Sequence, residues 1–209
     1  MKKIIITLVV FALLIGGVLW WNSLKTTNNN QQAQNNNTNY QAERSNVEIK
    51  EIPTITKKET EISTFSTKIY NKDEERQNNI GITCRALSGK EVQPGETFSF
   101  CDIVGKSTTA KGYQEADIYV DGKKEQGLGG GNCQVSTTLY NAVTQVQGLE
   151  VVEKHEHSGN VPYIQKGKDA AVAYGNYDFK FKNNTGNVIR IVMENTVDNI
   201  TAKLIRIEG

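Results

Sequence analysis

The sequence has almost no net charge and contains few cysteines and histidines, and each shortage excludes a class of function. Its 24 basic and 23 acidic residues nearly balance. The basic residues are scattered rather than clustered, so no nucleic-acid partner is expected. The three cysteines form no Cys-x-x-Cys pair, which excludes a structural zinc knuckle. The glycine run lacks both the GxGxxG pattern and the Gly-Lys-Ser/Thr ending of phosphate-binding loops, and no cofactor or metal is expected.

Long hydrophobic runs are equally scarce, since the only one extends from Ile4 to Trp21, directly after Lys2 and Lys3. As a helix it would be about 27 Å long, just enough to cross a hydrocarbon core of roughly 30 Å. The basic residues before it favour a cytoplasmic N-terminus. Residues 4–21 therefore predict a single-pass anchor in the cytoplasmic membrane, with the C-terminal domain extracytoplasmic. A cleaved signal peptide is the alternative, although no clear cleavage site follows Trp21.

The rest of the chain divides by composition. Residues 1–24 form the predicted anchor, residues 25–61 a flexible tether rich in Asn and Gln, and residues 62–209 one folded domain. The tether has too few apolar residues to offset the entropy of an ordered chain. Its last part, Val47 to Glu61, alternates loosely and is interpreted either as linker or as a first edge strand.

The folded domain is predicted to be α+β, mainly an antiparallel sheet with two packed helices. One helix should extend from Asp73 to Leu87, and a second should begin with Asn132 as its N-cap. The predicted strands are Thr97 to Val104, Leu149 to His155, Ala170 to Tyr174, Tyr177 to Lys182, Val188 to Met193 and Ile200 to Ile207, together with a hairpin formed by Ala116 to Val120 and Lys123 to Gln126 around Asp121-Gly122.

The most informative residue is Cys133, which follows Gly129-Gly130-Gly131 and Asn132 at the start of the second helix. The first backbone N–H groups of a helix lack internal partners, and the helix dipole places partial positive charge there. Both effects favour a thiolate, the nucleophilic form of cysteine. Cys133 is therefore a candidate nucleophile, and the N–H groups of Cys133 and Gln134 are candidates for the oxyanion site.

The chain contains only two histidines, His155 and His157, and both follow the Cys133 helix. His157 is the candidate general base. At strand periodicity His155 and His157 point to the same side. Asp169 and Asp178, on later segments, are candidates for the acid that orients the imidazole. A cysteine on a helix start, then a histidine, then an acid is the chain order of papain-like cysteine hydrolases.

Other interpretations of these residues remain open. Cys133 and His157 could be buried residues with a structural role only, and the two aspartates could cap a turn or a strand. Cys133, His155 and His157 would suit a metal with an open fourth position. Cys84 and Cys101 either form a disulfide or serve as small buried apolar side chains.

The motifs resemble the VanW family of bacterial cell-surface proteins, a family without an established biochemical activity. The resemblance covers roughly Asn79 to Met193. The matching segments are Pro94-Gly95-Glu96-Thr97-Phe98-Ser99-Phe100, Val104-Gly105, Gly112-Tyr113, Gly129 to Ala142, Gly148-Leu149-Glu150-Val151, His157-Ser158, Val161, Tyr163, Gly167, Asp169-Ala170 and Asp178 to Asn183. Two residues depart from the family pattern, Cys101 where Asn is usual and Asn132 where an aliphatic residue is common.

Two functions are compatible with this sequence. The first is a Cys-His hydrolase or transferase acting on cell-wall peptides, with Gly130, Gly131, Gln134, Tyr113 and Tyr163 contacting the substrate. The second is a protein without catalytic activity that binds a cell-wall peptide or glycan, through a pocket that includes Tyr113, Tyr140 and Tyr163, or that takes part in envelope or sporulation assembly.

Overall fold

The computed structural model describes residues 57–120 and 123–209. The predicted anchor, most of the tether and the Asp121-Gly122 turn lie outside the described residues. Within those residues no helix combines the length and the apolar character needed to cross a membrane.

The described part of the chain folds as α+β with mainly antiparallel sheets, as predicted. The helices are α1 (Glu74–Leu87), α2 (Phe100–Val104) and α3 (Asn132–Val143), with a 3-10 turn at Thr109–Lys111. The strands are β1 (Lys58–Lys68), β2 (Glu91–Val92), β3 (Thr97–Ser99), β4 (Glu115–Val120), β5 (Lys123–Leu128), β6 (Leu149–Glu153), β7 (Lys180–Asn183), β8 (Val188–Asn195) and β9 (Asn199–Glu208).

Three antiparallel sheets organise these strands. The largest has the order β1-β9-β8-β2, the second has the order β3-β7-β6, and β4 and β5 form a separate hairpin. Helix α3 packs against β1 and β9, and α1 packs against β8 and α3. The two longer helices therefore cover one face of the four-stranded sheet.

The core is built by the alternation of strand residues and the periodicity of the two long helices. Strand β9 buries Ile200, Ala202 and Leu204, while the residues between them are partly exposed. Helix α1 buries Ile80, Cys84 and Leu87, which recur at helical spacing. Aromatic rings fill the space near the three-stranded sheet: the Phe98 and Phe181 rings stack with their centroids 4.8 Å apart.

Strand β1 includes residues 58–61, the end of the segment interpreted either as linker or as a first edge strand. It begins at Lys58 and pairs with β9 over almost its whole length, with a register shift between Glu61 and Ser63. The polar residues before Ile62 that suggested a tether include part of this edge strand. Their exposed side chains face away from the core, which explains why composition alone did not separate them from linker.

The predicted strand Thr97 to Val104 is wrong in its second half, which forms helix α2. The Ser99 hydroxyl accepts a hydrogen bond from the Asp102 N–H at 3.0 Å. The Asp178 carboxylate accepts from the Cys101 N–H at 2.9 Å and from the Ser99 hydroxyl at 2.6 Å. A carboxylate distant in sequence thus satisfies one of the first N–H groups of this helix and also holds the capping Ser99 hydroxyl, contacts that local pattern cannot reveal.

Phe181 anchors the three-stranded sheet and offers a direct test of this core. It is fully buried and stacks on Phe98. We expect Phe181→Ala to lower the free energy of unfolding by about 3–5 kcal/mol, because it removes buried apolar surface and leaves a cavity. Urea unfolding followed by circular dichroism measures this change. Val197→Ala is the control: Val197 is 62% exposed, and its truncation should change stability by less than about 0.5 kcal/mol. Similar losses in the two variants would contradict this description of the core.

Candidate active site

The site begins with the glycine loop that positions helix α3. A Cβ on Gly130 would lie 2.7 Å from the carbonyl oxygen of Asp117, and one on Gly131 would lie 2.7 Å from Cγ1 of Ile80. These glycines therefore allow the helix start to approach β4 and α1 closely. Gly131 also has a φ of 114° and is the N-cap of α3, so the predicted N-cap, Asn132, is instead the first helical residue.

A polar stripe on α3 fixes an extended segment, residues 168–172, alongside the helix. Asn141 donates to the Lys168 carbonyl at 2.8 Å. One turn earlier, Thr137 accepts from the Ala170 N–H at 3.0 Å. A further turn earlier, the Cys133 sulfur accepts from the Val172 N–H at 3.5 Å and lies 3.4 Å from the Val172 carbonyl oxygen. The stripe therefore places Val172 beside the start of the helix and Asp169 between the partners of Thr137 and Asn141, farther along it.

Asp169 holds His157 through two hydrogen bonds to one carboxylate oxygen. The Oδ2 atom accepts from the His157 backbone N–H at 2.7 Å and lies 2.7 Å from the ring Nδ1. Both side chains are largely buried, with 9% of the His157 side chain and 5% of the Asp169 side chain exposed. When Nδ1 carries the proton shared with Asp169, Nε2 is the ring acceptor.

Cys133 and His157 line the same cleft, and their side chains interact with each other. Burial by itself lowers the pKa of His157, but the hydrogen bond and charge interaction with Cys133, followed by those with Asp169, outweigh it and raise that pKa above its ordinary value. Burial would raise the pKa of Asp169, yet the hydrogen bonds from His157 lower it. The three side chains thus favour an imidazolium between a sulfur and a carboxylate.

The backbone around the sulfur supplies further donors. Asn132 N–H donates to the Gly129 carbonyl, and Gln134 N–H donates to the Gly131 carbonyl at 3.0 Å. The Gln134 N–H expected at the oxyanion site is therefore engaged. No acceptor within residues 57–120 and 123–209 takes the Cys133 N–H. The Cys133 N–H is therefore available to a ligand at the helix start, whereas the Val172 N–H donates to the sulfur.

The other two thiols differ from Cys133. All three cysteines are free, so the structure contains no Cys84–Cys101 disulfide. Burial raises the pKa of Cys84 to about 12. Burial, followed by the charge of Asp178, raises the pKa of Cys101 to about 12 as well. Both are therefore held as unreactive thiols at neutral pH.

The remaining candidate residues lie at different places. Asp178 contacts Ser99 and Cys101 rather than joining Asp169 at His157. Tyr113 is 2% exposed, and its hydroxyl contacts Thr83 inside the core. The buried Gln134 side chain donates to Thr67 and to the Lys68 carbonyl. Tyr163 lies at the site, where burial and the neighbouring Cys133 raise its pKa.

His155 faces away from His157, so the two histidines do not combine with Cys133 as a metal site. Strand β6 ends at Glu153, and the expected alternation does not continue through the histidines. Nε2 of His155 lies 3.0 Å from Glu153, whereas His157 contacts Asp169. Within the described ranges no cluster of three or more His, Cys, Asp or Glu side chains is arranged to hold a metal ion.

Cys133 and His157 open into a cleft of about 470 Å³. Arg76, Lys106, Tyr163 and Tyr174 also line it. The size is within the range of small-molecule and peptide-binding pockets, roughly 300–1,000 Å³. The sulfur is therefore accessible to a ligand, although its histidine and aspartate are shielded from water.

The raised His157 pKa and the lowered Asp169 pKa set opposite limits on the pH range in which this pair stabilises the fold. The His157 contribution is complete below its unfolded pKa of about 6.5 and is lost as the pH rises through the higher folded value. The Asp169 contribution is complete above its unfolded pKa of about 3.9 and is lost as the pH falls through the lower folded value.

We expect NMR titration of the His157 imidazole to give a pKa above about 6.5. Asp169→Asn and Cys133→Ala should each lower this pKa, because each removes a group that stabilises the imidazolium. His155→Gln identifies the second histidine signal, since the chain contains two histidines. A His157 pKa that neither substitution lowers would contradict the geometry.

Comparison with known proteins agrees with the resemblance found in the motifs. The family model described as VanW like protein matches residues 75–205. The chain is 40% identical over 131 residues to the uncharacterized protein YoaR of Bacillus subtilis, covering 63% of this chain and 43% of the relative. It is 32% identical over 112 residues to the vancomycin B-type resistance protein VanW of Enterococcus faecalis, covering 51% of this chain and 40% of the relative.

The chain thus spans less than half the length of either relative. No solved structure matches it. The match to the family model extends over more than half of the chain and includes Cys133, His157 and Asp169. The chain therefore belongs to the family of VanW-like proteins.

Proposed function

We propose that this VanW-like protein is a cysteine hydrolase or transferase that acts on peptides of the bacterial cell wall. The observation that supports it most is the arrangement of Cys133, His157 and Asp169 at one end of an open cleft. A nucleophile, a base in contact with it and an acid that orients the base form the constellation used in acyl transfer.

In the proposed reaction, the Cys133 sulfur attacks the carbonyl carbon of a substrate amide. His157 takes the thiol proton and later gives it to the departing amine, so that a C–S bond forms and the C–N bond breaks. Water or a second amine then attacks the thioester, losing a proton to His157 and releasing Cys133. Asp169 remains ionised and stabilises the imidazolium throughout.

Negative charge that develops on the carbonyl oxygen needs donors close to the sulfur. The Cys133 N–H lies at the start of α3, where the helix dipole favours an anion. The Val172 N–H donates to the sulfur at 3.5 Å and would supply a second donor by shifting this hydrogen bond to the substrate oxygen. In this proposal the Cys133 N–H keeps its predicted place at the oxyanion site, and the Val172 N–H replaces the Gln134 N–H.

The cleft favours catalysis over binding alone. Of the three tyrosines expected to form a binding pocket, Tyr113 is in the core, and the Tyr140 ring packs edge-on against Phe179 with centroids 5.7 Å apart. Tyr163 lines the cleft beside the thiol. The polar side chains around the sulfur are therefore better organised for chemistry than the predicted aromatic pocket is for binding.

The proposal includes a location for the folded domain outside the cytoplasmic membrane. Residues 4–21 would anchor the chain in the cytoplasmic membrane and leave the domain outside, where cell-wall peptides are found. The name of one relative, a vancomycin B-type resistance protein, also favours a cell-wall substrate.

Alkylation by iodoacetamide tests the activated thiol. At pH 7 we expect Cys133 to react much faster than Cys84 and Cys101, because the latter two are held protonated. His157→Gln should slow alkylation of Cys133 about tenfold or more, since the imidazole no longer removes the thiol proton. Peptide mapping by mass spectrometry measures each rate.

His155→Gln is the matched control, because His155 contacts Glu153 rather than the thiol. It should leave the alkylation rate of Cys133 near that of the unaltered chain. Equal alkylation rates for Cys133 and Cys101, or no effect of His157→Gln, would refute the nucleophile assignment.

Turnover is tested by incubating the full-length chain with purified peptidoglycan and detecting new amino and carboxyl termini by mass spectrometry. Cys133→Ser should abolish cleavage or transfer, and Asp169→Asn should slow it about 100-fold or more by releasing the imidazole. Asp198→Asn removes an exposed carboxylate near Lys72 and should have no effect. Peptidoglycan that stays bound but unaltered with the unsubstituted chain would favour the non-catalytic function instead.

A further inference from the structure

A second cleft of about 370 Å³ adjoins the thiol cleft. Cys101 and Tyr174 line both. The second cleft continues past the turn of residues 174–177 toward the ends of β6 and β7. The two clefts are therefore neighbours that share part of their lining.

Two exposed tyrosines flank this turn. Tyr174 is 58% exposed and Tyr177 is 51% exposed, and both border the second cleft. Exposed apolar side chains that are gathered at one place often mark a binding site, and both of these rings border one cleft. The core does not need them, because neither side chain is part of it.

The Tyr177 ring packs against His155, which is itself held by a series of polar contacts. It packs against the His155 ring, with centroids 4.7 Å apart and planes inclined by 37°. His155 in turn contacts Glu153 at 3.0 Å, and Glu153 accepts from Lys180 at 2.9 Å and from the Asp178 N–H at 3.1 Å. One face of an exposed ring is thus supported by its neighbours.

This support has little value for stability, since the ion pair of Glu153 and Lys180 is partly exposed to solvent. It does reduce the entropy that Tyr177 would lose when a ligand packs on its outer face. The arrangement is therefore suited to binding by a flat apolar surface.

The groups around the rings are polar. Asn176, Asp102 and Lys180 border the same cleft, and together they offer both donors and acceptors of hydrogen bonds. A ligand that fits needs an apolar face for the tyrosine ring and hydroxyl or amide groups on its edge. A pyranose sugar has this combination, whereas an apolar peptide side chain would leave the polar groups without partners.

We propose that the second cleft binds a hexopyranose unit of a glycan, stacked on Tyr177, while a peptide attached to that glycan extends into the thiol cleft. The substrate class is then a glycopeptide rather than a free peptide. The inference rests on the proposed function only in assigning both clefts to one substrate, because sugar binding itself does not need Cys133.

The test is isothermal titration calorimetry, in which the purified full-length chain is titrated with chitotetraose, a linear oligomer of N-acetylglucosamine. We expect saturable binding that Tyr177→Ala weakens at least about fivefold, through loss of the stacked ring. Tyr177→Phe keeps the ring and should retain most of the affinity. Tyr70→Ala is the matched control, since Tyr70 is 59% exposed and borders neither cleft.

Two results would overturn the proposal: no binding of chitotetraose, or an affinity that Tyr177→Ala leaves unchanged. Displacement of chitotetraose from Tyr177 by tetraalanine at equal concentration would also overturn it, because the cleft would then prefer a peptide. Alkylation of Cys133 measured in Tyr177→Ala separates this inference from the proposed function, since the alkylation rate should remain that of the unaltered chain.

Discussion

The match in spacing between helix α3 and the extended segment 168–172 is the constraint on which the site depends. Four helical residues rise by about 6.0 Å, and two extended residues by about 6.6 Å. Asn141, Thr137 and Cys133 therefore meet residues 168, 170 and 172 in successive steps. Because Asp169 lies inside this segment, the same contacts that hold the backbone also place the carboxylate that orients His157.

Electrostatics then distinguishes one cysteine from the other two. Cys101 is half-buried beside the Asp178 carboxylate, which disfavours its thiolate and leaves Asp178 to cap α2. Cys133, at a helix start, instead interacts with His157 and accepts a hydrogen bond from the Val172 N–H. Burial, followed by the charge of Asp178, therefore holds Cys101 as a thiol, and the chain uses its two candidate acids for different tasks.

The sequence pattern predicted the elements that are determined by residues close together in the chain. Helix α1, the β4–β5 hairpin and strands β8 and β9 follow from periodicity and turn residues, and the glycine run indicated a constrained helix start before Cys133. Contacts between distant residues were not accessible in this way. Helix α2 depends on Asp178, and the choice of Asp169 over Asp178 beside His157 depends on the register along α3. A signal did exist, because Cys133, Thr137 and Asn141 recur every four residues as a polar stripe along this helix, and the last two are buried.

The most direct test of the account is capture of a covalent intermediate on Cys133. Peptidoglycan fragments are incubated with the full-length chain, the reaction is quenched in acid, and the intact mass is measured. We expect an added acyl mass that peptide mapping assigns to Cys133, that hydroxylamine removes as expected of a thioester, and that Cys133→Ser lacks. Cleavage or transfer of the fragments by the Cys133→Ser variant at the rate of the unaltered chain would contradict it.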